Sequence, residues 1–71
     1  MKRLLRKCAT RDYLGKDGNW TNVLSEAADF PDVKSLLQAA LLLPEAELEQ
    51  VLMMEEQPSG RDLALPLRIK N

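Results

Sequence analysis

Pro44-Glu45-Ala46-Glu47-Leu48-Glu49-Gln50-Val51-Leu52-Met53-Met54-Glu55-Glu56 can be read two ways, and the choice decides the fold. Taken residue by residue it is a good helix, with Pro at a permitted first position and acids in the first turn. Its apolar stripe is thin, because Leu48, Val51 and Leu52 are followed by Glu55. The residues beyond it argue for a strand. Over 61–69, RDLALPLRI, the side chains alternate. Leu63, Leu65, Leu67 and Ile69 take one face, while Asp62, Ala64, Pro66, Arg68 and Lys70 take the other. That period of two belongs to a strand, and a strand needs a partner. Gln57-Pro58-Ser59-Gly60 supplies a turn. A hairpin of about 49–56 with 61–67 meets both demands and is favoured, with helix the competing reading for 44–56. Pro66 places the second strand at an edge.

Upstream, the spacing predicts a helix from about Asp32 to Leu43. Val33, Leu36, Leu37, Ala40 and Leu41 fall at i, i+3, i+4, i+7 and i+8, the template for one buried face. Asp32 suits the N-cap; Pro31 at the first helical position, capped by Asp29, is the alternative. Pro44 ends the helix. Residues 21–30 allow either helical spacing or a short turn near Ser25 followed by 27–30 extended at a sheet edge. Toward the N-terminus, residues 3–9 read as a strand, with helix competing on propensity. A turn at 10–12 leads to Tyr13-Leu14. Gly15-Lys16-Asp17-Gly18-Asn19 then turns the chain before Trp20-Thr21.

The expected fold is α+β: one domain of 71 residues, a small antiparallel sheet of short strands, and one main helix packed on one face. Trp20 and Phe30 are expected in the core against Leu36, Leu37 and Leu41, and Tyr13 is open between core and contact. Met53 and Met54 are adjacent, so in a strand one faces the core and the other faces away. A single helix layer would leave the second face of the sheet bare. A protein partner or a homodimer through that open face, or through a sheet edge, is therefore the expected mode of action.

The order Tyr13-Leu14, Asp17-Gly18-Asn19-Trp20-Thr21, Glu26-Ala27-Ala28-Asp29-Phe30, a helix, then Leu65-Pro66-Leu67 resembles small bacterial proteins of similar length. The resemblance spans about residues 4–68. It implies strands, one helix and a closing hairpin, and tips 51–56 toward strand. It implies no activity.

Composition narrows the function from the other side. The chain has no histidine and one cysteine, Cys8. A Ser-His-Asp triad, a Cys-His pair and the standard zinc sites are thereby excluded. Cys8 would be a nucleophile only with a depressed pKa, and a half-buried strand residue is the simpler reading. Glu45, Glu47, Glu49, Glu55 and Glu56 lack the spacing of a calcium loop. Gly15, Gly18 and Gly60 form no phosphate loop. The expectation is a non-enzymatic module with no catalytic residue, no cofactor and no metal. Forty-five per cent of residues are apolar and 30% charged, the balance of a soluble globular domain. The lone thiol and the lack of a secretory signal point to the cytoplasm. The net charge of −1 is unevenly spread. Residues 1–16 carry +5, residues 17–59 carry −8 and residues 60–71 carry +2. A basic arm for nucleic acid is the alternative function, but acidic neighbours in so small a body repel phosphate. Nucleic acid and membrane are not the expected partners.

Overall fold

The computed structural model describes residues 1–44 and 47–67. Glu45 of the acidic run, and Arg68, Ile69 and Lys70 of the alternating stretch, lie outside the described residues. The fold is α+β. Five strands form one antiparallel sheet: β1 Lys2–Lys7, β2 Tyr13–Leu14, β3 Trp20–Thr21, β4 Leu48–Met53 and β5 Leu63–Leu67, in the spatial order β3-β2-β1-β4-β5. The helix α1, Val33–Leu41, falls between β3 and β4 in the chain.

The stretch after Pro44 is a strand from Leu48 onward, and it pairs with β5 as a hairpin. β4 lies between β1 and β5 and is the most buried element, with Leu48, Glu49, Gln50, Val51 and Met53 all buried. Two neighbours satisfy its backbone, and that tertiary gain overrides the helix propensity of its glutamates. The strand stops at Met53; Met54 is exposed.

The N-terminal residues form a meander. Lys7 N–H bonds Asp12 C=O and Arg11 N–H bonds Lys7 C=O, both at 2.9 Å, closing the β1–β2 turn with Arg11 at a left-handed φ of 64°. Gly15 N–H bonds Asn19 C=O at 2.7 Å in the next turn, where Gly18 takes φ 87°. A Cβ on Gly15 would meet the Asn19 carbonyl oxygen at 2.8 Å, so that turn requires both glycines. Between β3 and α1 the extended reading holds for 27–30. A short 3-10 turn, Leu24–Glu26, precedes it. Ala28 N–H then bonds Leu14 C=O, and Phe30 N–H bonds Arg3 C=O.

α1 begins where the cap was expected. The Asp32 carboxylate accepts the Ser35 N–H at 2.7 Å. That bond holds the Asp32 carboxyl below the usual aspartate range. A carboxyl with a lowered folded pKa stabilises above its unfolded value, and the stabilisation is lost as pH falls through the folded one. Asp32→Ala should therefore lower the urea midpoint at neutral pH, with the gap to wild type closing as the pH falls below the ordinary aspartate value of about 4. Urea titrations across that range check this; a gap independent of pH would remove the cap from the account.

The core has two parts, one on each side of the sheet. On the helix side Leu5, Leu14, Leu36, Ala40 and Leu48 are buried together, with Trp20, Phe30, Leu43 and Leu67 packed against them. On the other side Leu4, Ala27, Val51 and Met53 are buried, with Tyr13 and Leu24 against them. The second face is thus not bare where it is apolar. The segment around the 3-10 turn covers it, because Leu24 and Ala27 fold back over Leu4 and Val51. The expectation of an open face opposite the helix is corrected on that point. Among the described residues no helix is long and apolar enough to cross a membrane.

Candidate functional site

Strand register assigns every side chain to a face. Arg3 pairs with Leu52, Leu5 with Gln50 and Lys7 with Leu48. Gln50 pairs in turn with Leu65, and Leu52 with Leu63. These residues share the helix side. Lys2, Leu4, Arg6, Glu49, Val51 and Met53 share the other.

A helix is about 10 Å across, whereas five strands at about 4.8 Å spacing span nearly twice that. α1 therefore covers only part of its face. Viewed from the helix side with β1 running upward, the L-configuration sends the N–H and C=O of a residue facing the viewer to the right. Arg3 is such a residue, and its C=O and N–H meet Phe30 and the Asp29 side chain there. β2 and β3 consequently lie to the right, β4 and β5 to the left. α1 also runs upward, from beside Arg3 toward Leu48, which opens β4 opposite Lys7. A right-handed helix running upward with Leu36 and Ala40 on the sheet projects Val33, Leu37 and Leu41 to the left, toward β4 and β5.

Those three side chains are 43%, 36% and 61% exposed. Facing them from β5, Leu63 and Leu65 are 57% and 45% exposed. Half-buried Leu52 lies between. The result is an apolar trough with one wall from the helix flank and its floor from β4 and β5. The helical spacing assigned Val33, Leu37 and Leu41 to the buried face, and the alternation put Leu63 and Leu65 on one face of their strand; all five are exposed. The correction has one cause: adjacent residues on a helix diverge by about 100°, so Leu36 and Leu37 cannot both face the sheet. A leucine stripe wider than one contact face was the available signal.

The outer edge of β5 is a poor docking site. Because Arg3 turns its ladder groups away from β4, Leu48, Gln50 and Leu52 turn theirs toward β5. Leu63, Leu65 and Leu67 answer them, and Ala64 and Pro66 face outward. Pro66 has no N–H, and the Asp62 N–H already bonds Ser59 C=O. Ala64 alone offers an outward N–H along this strand, too little for an added strand.

The basic N-terminal segment is partly neutralised. Arg6 pairs with Glu49 at 3.0 Å and Lys2 with Glu56 at 3.3 Å. Burial alone would pull the Arg6 pKa down, but hydrogen bonding and charge attraction from Glu49 outweigh it and leave the guanidinium above its ordinary value. The Lys7 ammonium lies 4.6 Å from the centre of the Trp20 ring.

Cys8 sits just past β1, half-buried. Burial, and then the negative charges of Glu49 and Glu47, push its thiol pKa up. A raised pKa leaves little thiolate at neutral pH. Cys8 should alkylate with iodoacetamide at pH 7 more slowly than free cysteine; mass spectrometry over time reads the rate, and a faster reaction would make Cys8 a candidate nucleophile after all. Among the described residues no three of the Cys, Asp and Glu side chains gather where they could hold a metal.

An open cleft of about 420 Å³ lies beside Trp20, with Lys16, Asp17, Thr21 and Glu26 on its walls. Its carboxylates are already engaged. Asp17 accepts from Asn19, and Glu26 accepts from Thr21 at 3.2 Å. No reactive pair converges there. Comparison with protein-family models, curated proteins and solved structures finds no match to this chain.

Proposed function

We propose that this chain is a non-enzymatic interaction module that docks another protein into the trough between α1 and β5. One observation carries the reading: two apolar rows, Val33–Leu37–Leu41 and Leu63–Leu65, face each other across one side of the sheet and stay substantially exposed. Exposed leucines gathered in this way favour association, whereas scattered ones carry no such weight. Pro66 disfavours strand addition at the β5 edge, so the docking is by face. Nucleic-acid binding is the weaker reading, since Arg6 and Lys2 are committed to Glu49 and Glu56. A reducing compartment such as the cytoplasm suits the single free thiol.

A random peptide library displayed on phage and panned against the folded chain tests this. Enriched peptides should carry apolar anchors and shift the amide resonances of Leu37, Leu63 and Leu65. Leu65→Asp should weaken their binding about tenfold or more, as loss of a central anchor does. No enrichment, or peptides that bind Leu65→Asp as well as wild type, would sink the proposal.

A further inference from the structure

We propose that the trough selects a partner segment bearing an acidic side chain beside its apolar anchor, with Arg3 as the receptor for the carboxylate. This rests on the docking reading above and deepens it.

Gln50 lies on the helix side of β4, directly opposite Leu65, and is 6% exposed. Its Oε1 accepts the Arg3 Nε–H at 3.0 Å. Since Arg3 can only donate, the oxygen of the carboxamide faces Arg3, and the nitrogen lies at the other end. Among the described residues that Nε2 has no acceptor, and neither do the two Nη groups of Arg3. Buried amide donors without an acceptor are rare and costly, and call for an explanation. Here they sit on the same face of the sheet as the trough. Arg3 pairs with Leu52 and Gln50 with Leu65, so the donors border the leucines that a partner would cover.

The Gln50 bond fixes the guanidinium plane and leaves the Nη pair as the open fork. A fork of that kind takes a carboxylate through two parallel hydrogen bonds. Asp29 accepts the Arg3 backbone N–H at 3.1 Å. Asp32 is close enough to feel the Arg3 charge, as a minor influence beside the Ser35 bond. Two acids this near disfavour a doubly charged phosphate more than a single carboxylate, which selects the monoanion. Among the described residues Arg3 makes no ion pair, so its charge remains available to a partner.

The same display selection separates the possibilities. Peptides enriched on the wild-type chain should share an Asp or Glu at a fixed offset from the apolar anchor. Replacing that acid by its amide in one selected peptide should weaken binding about tenfold by fluorescence anisotropy. Arg3→Met should cost the same, and combining the two changes should cost no more than either alone. Proton–nitrogen spectra of Arg3→Met confirm the fold; the amide peptide on wild-type protein gives the answer even if that variant unfolds. Peptides that need Leu65 but tolerate loss of the acid would overturn the Arg3 assignment and leave the docking reading intact. Peptides indifferent to Leu65→Asp would overturn both. Self-association of the wild type in sedimentation equilibrium, lost in Leu65→Asp, would give the trough to a second copy and overturn the acidic-partner assignment.

Discussion

Leu36→Ala should destabilise the chain by about 3–5 kcal/mol, the upper range for deleting a buried leucine. Leu36 is 0% exposed and packs with Leu5, Leu14, Ala40 and Leu48, so its loss leaves a cavity between helix and sheet. A chain of this length has on the order of 4–10 kcal/mol in total, so the loss removes a large share of its stability. The nine residues of α1 are too few to stay helical alone; packing holds them. The neighbouring substitution supplies the control. Leu37→Ala makes the same chemical change on the same helix, and Ala has the higher helix propensity at both sites. Leu37 is 36% exposed and faces the trough, so its replacement should cost about 1 kcal/mol or less. Urea unfolding of the two variants measures the difference. Equal losses would mean that the helix is seated differently, and the trough would go with it.

The elements were legible because local chemistry marks their ends. Asp32 caps and Pro44 stops the helix, Asp17-Gly18 turns the meander, and the alternation over 63–67 marks a strand. Burial was less legible, because periodicity tells which side of an element is apolar and not how wide its neighbour is. Val33, Leu37 and Leu41 share the apolar stripe with Leu36 and Ala40, yet Leu36 and Ala40 are the helix residues that are buried, with Ala39 packed beside them. The same holds for Leu63 and Leu65, whose strand lies beyond the reach of the helix. The cover on the second face was hidden for a different reason. Leu24 and Ala27 belong to a segment with two readings, and only the extended one folds back over Leu4. Glu49 stands in a run of glutamates that reads as a solvated face, because nothing local shows that β1 brings Arg6 beside it.

That pairing carries the second large effect. Arg6 and Glu49 stand directly opposite on β1 and β4, with the guanidinium Nε 3.0 Å from the carboxylate and both side chains close to nine-tenths buried. Tyr13, opposite Arg6 on its other side, places its ring centre 6.0 Å from the guanidinium carbon. Removing one charge strands the other inside the protein, and a stranded buried charge costs more than the pair contributed. Glu49→Ala and Arg6→Ala should each destabilise by about 3 kcal/mol, the low end for a buried pair because some water still reaches it. Arg6→Met combined with Glu49→Leu restores apolar packing without an unpaired charge, so it should cost less than either single change. The register makes the same point structurally. A slip of one residue between β1 and β4 would bring Arg6 opposite an uncharged neighbour, Leu48 or Gln50, and send Glu49 through to the leucine-lined side. The double variant should therefore be stable yet lose part of what fixes the strand register, visible as extra or broadened amide resonances for β4 and β5. If the single losses simply add in the double variant, the ion pair is incidental, and packing alone sets both the stability and the register of the sheet.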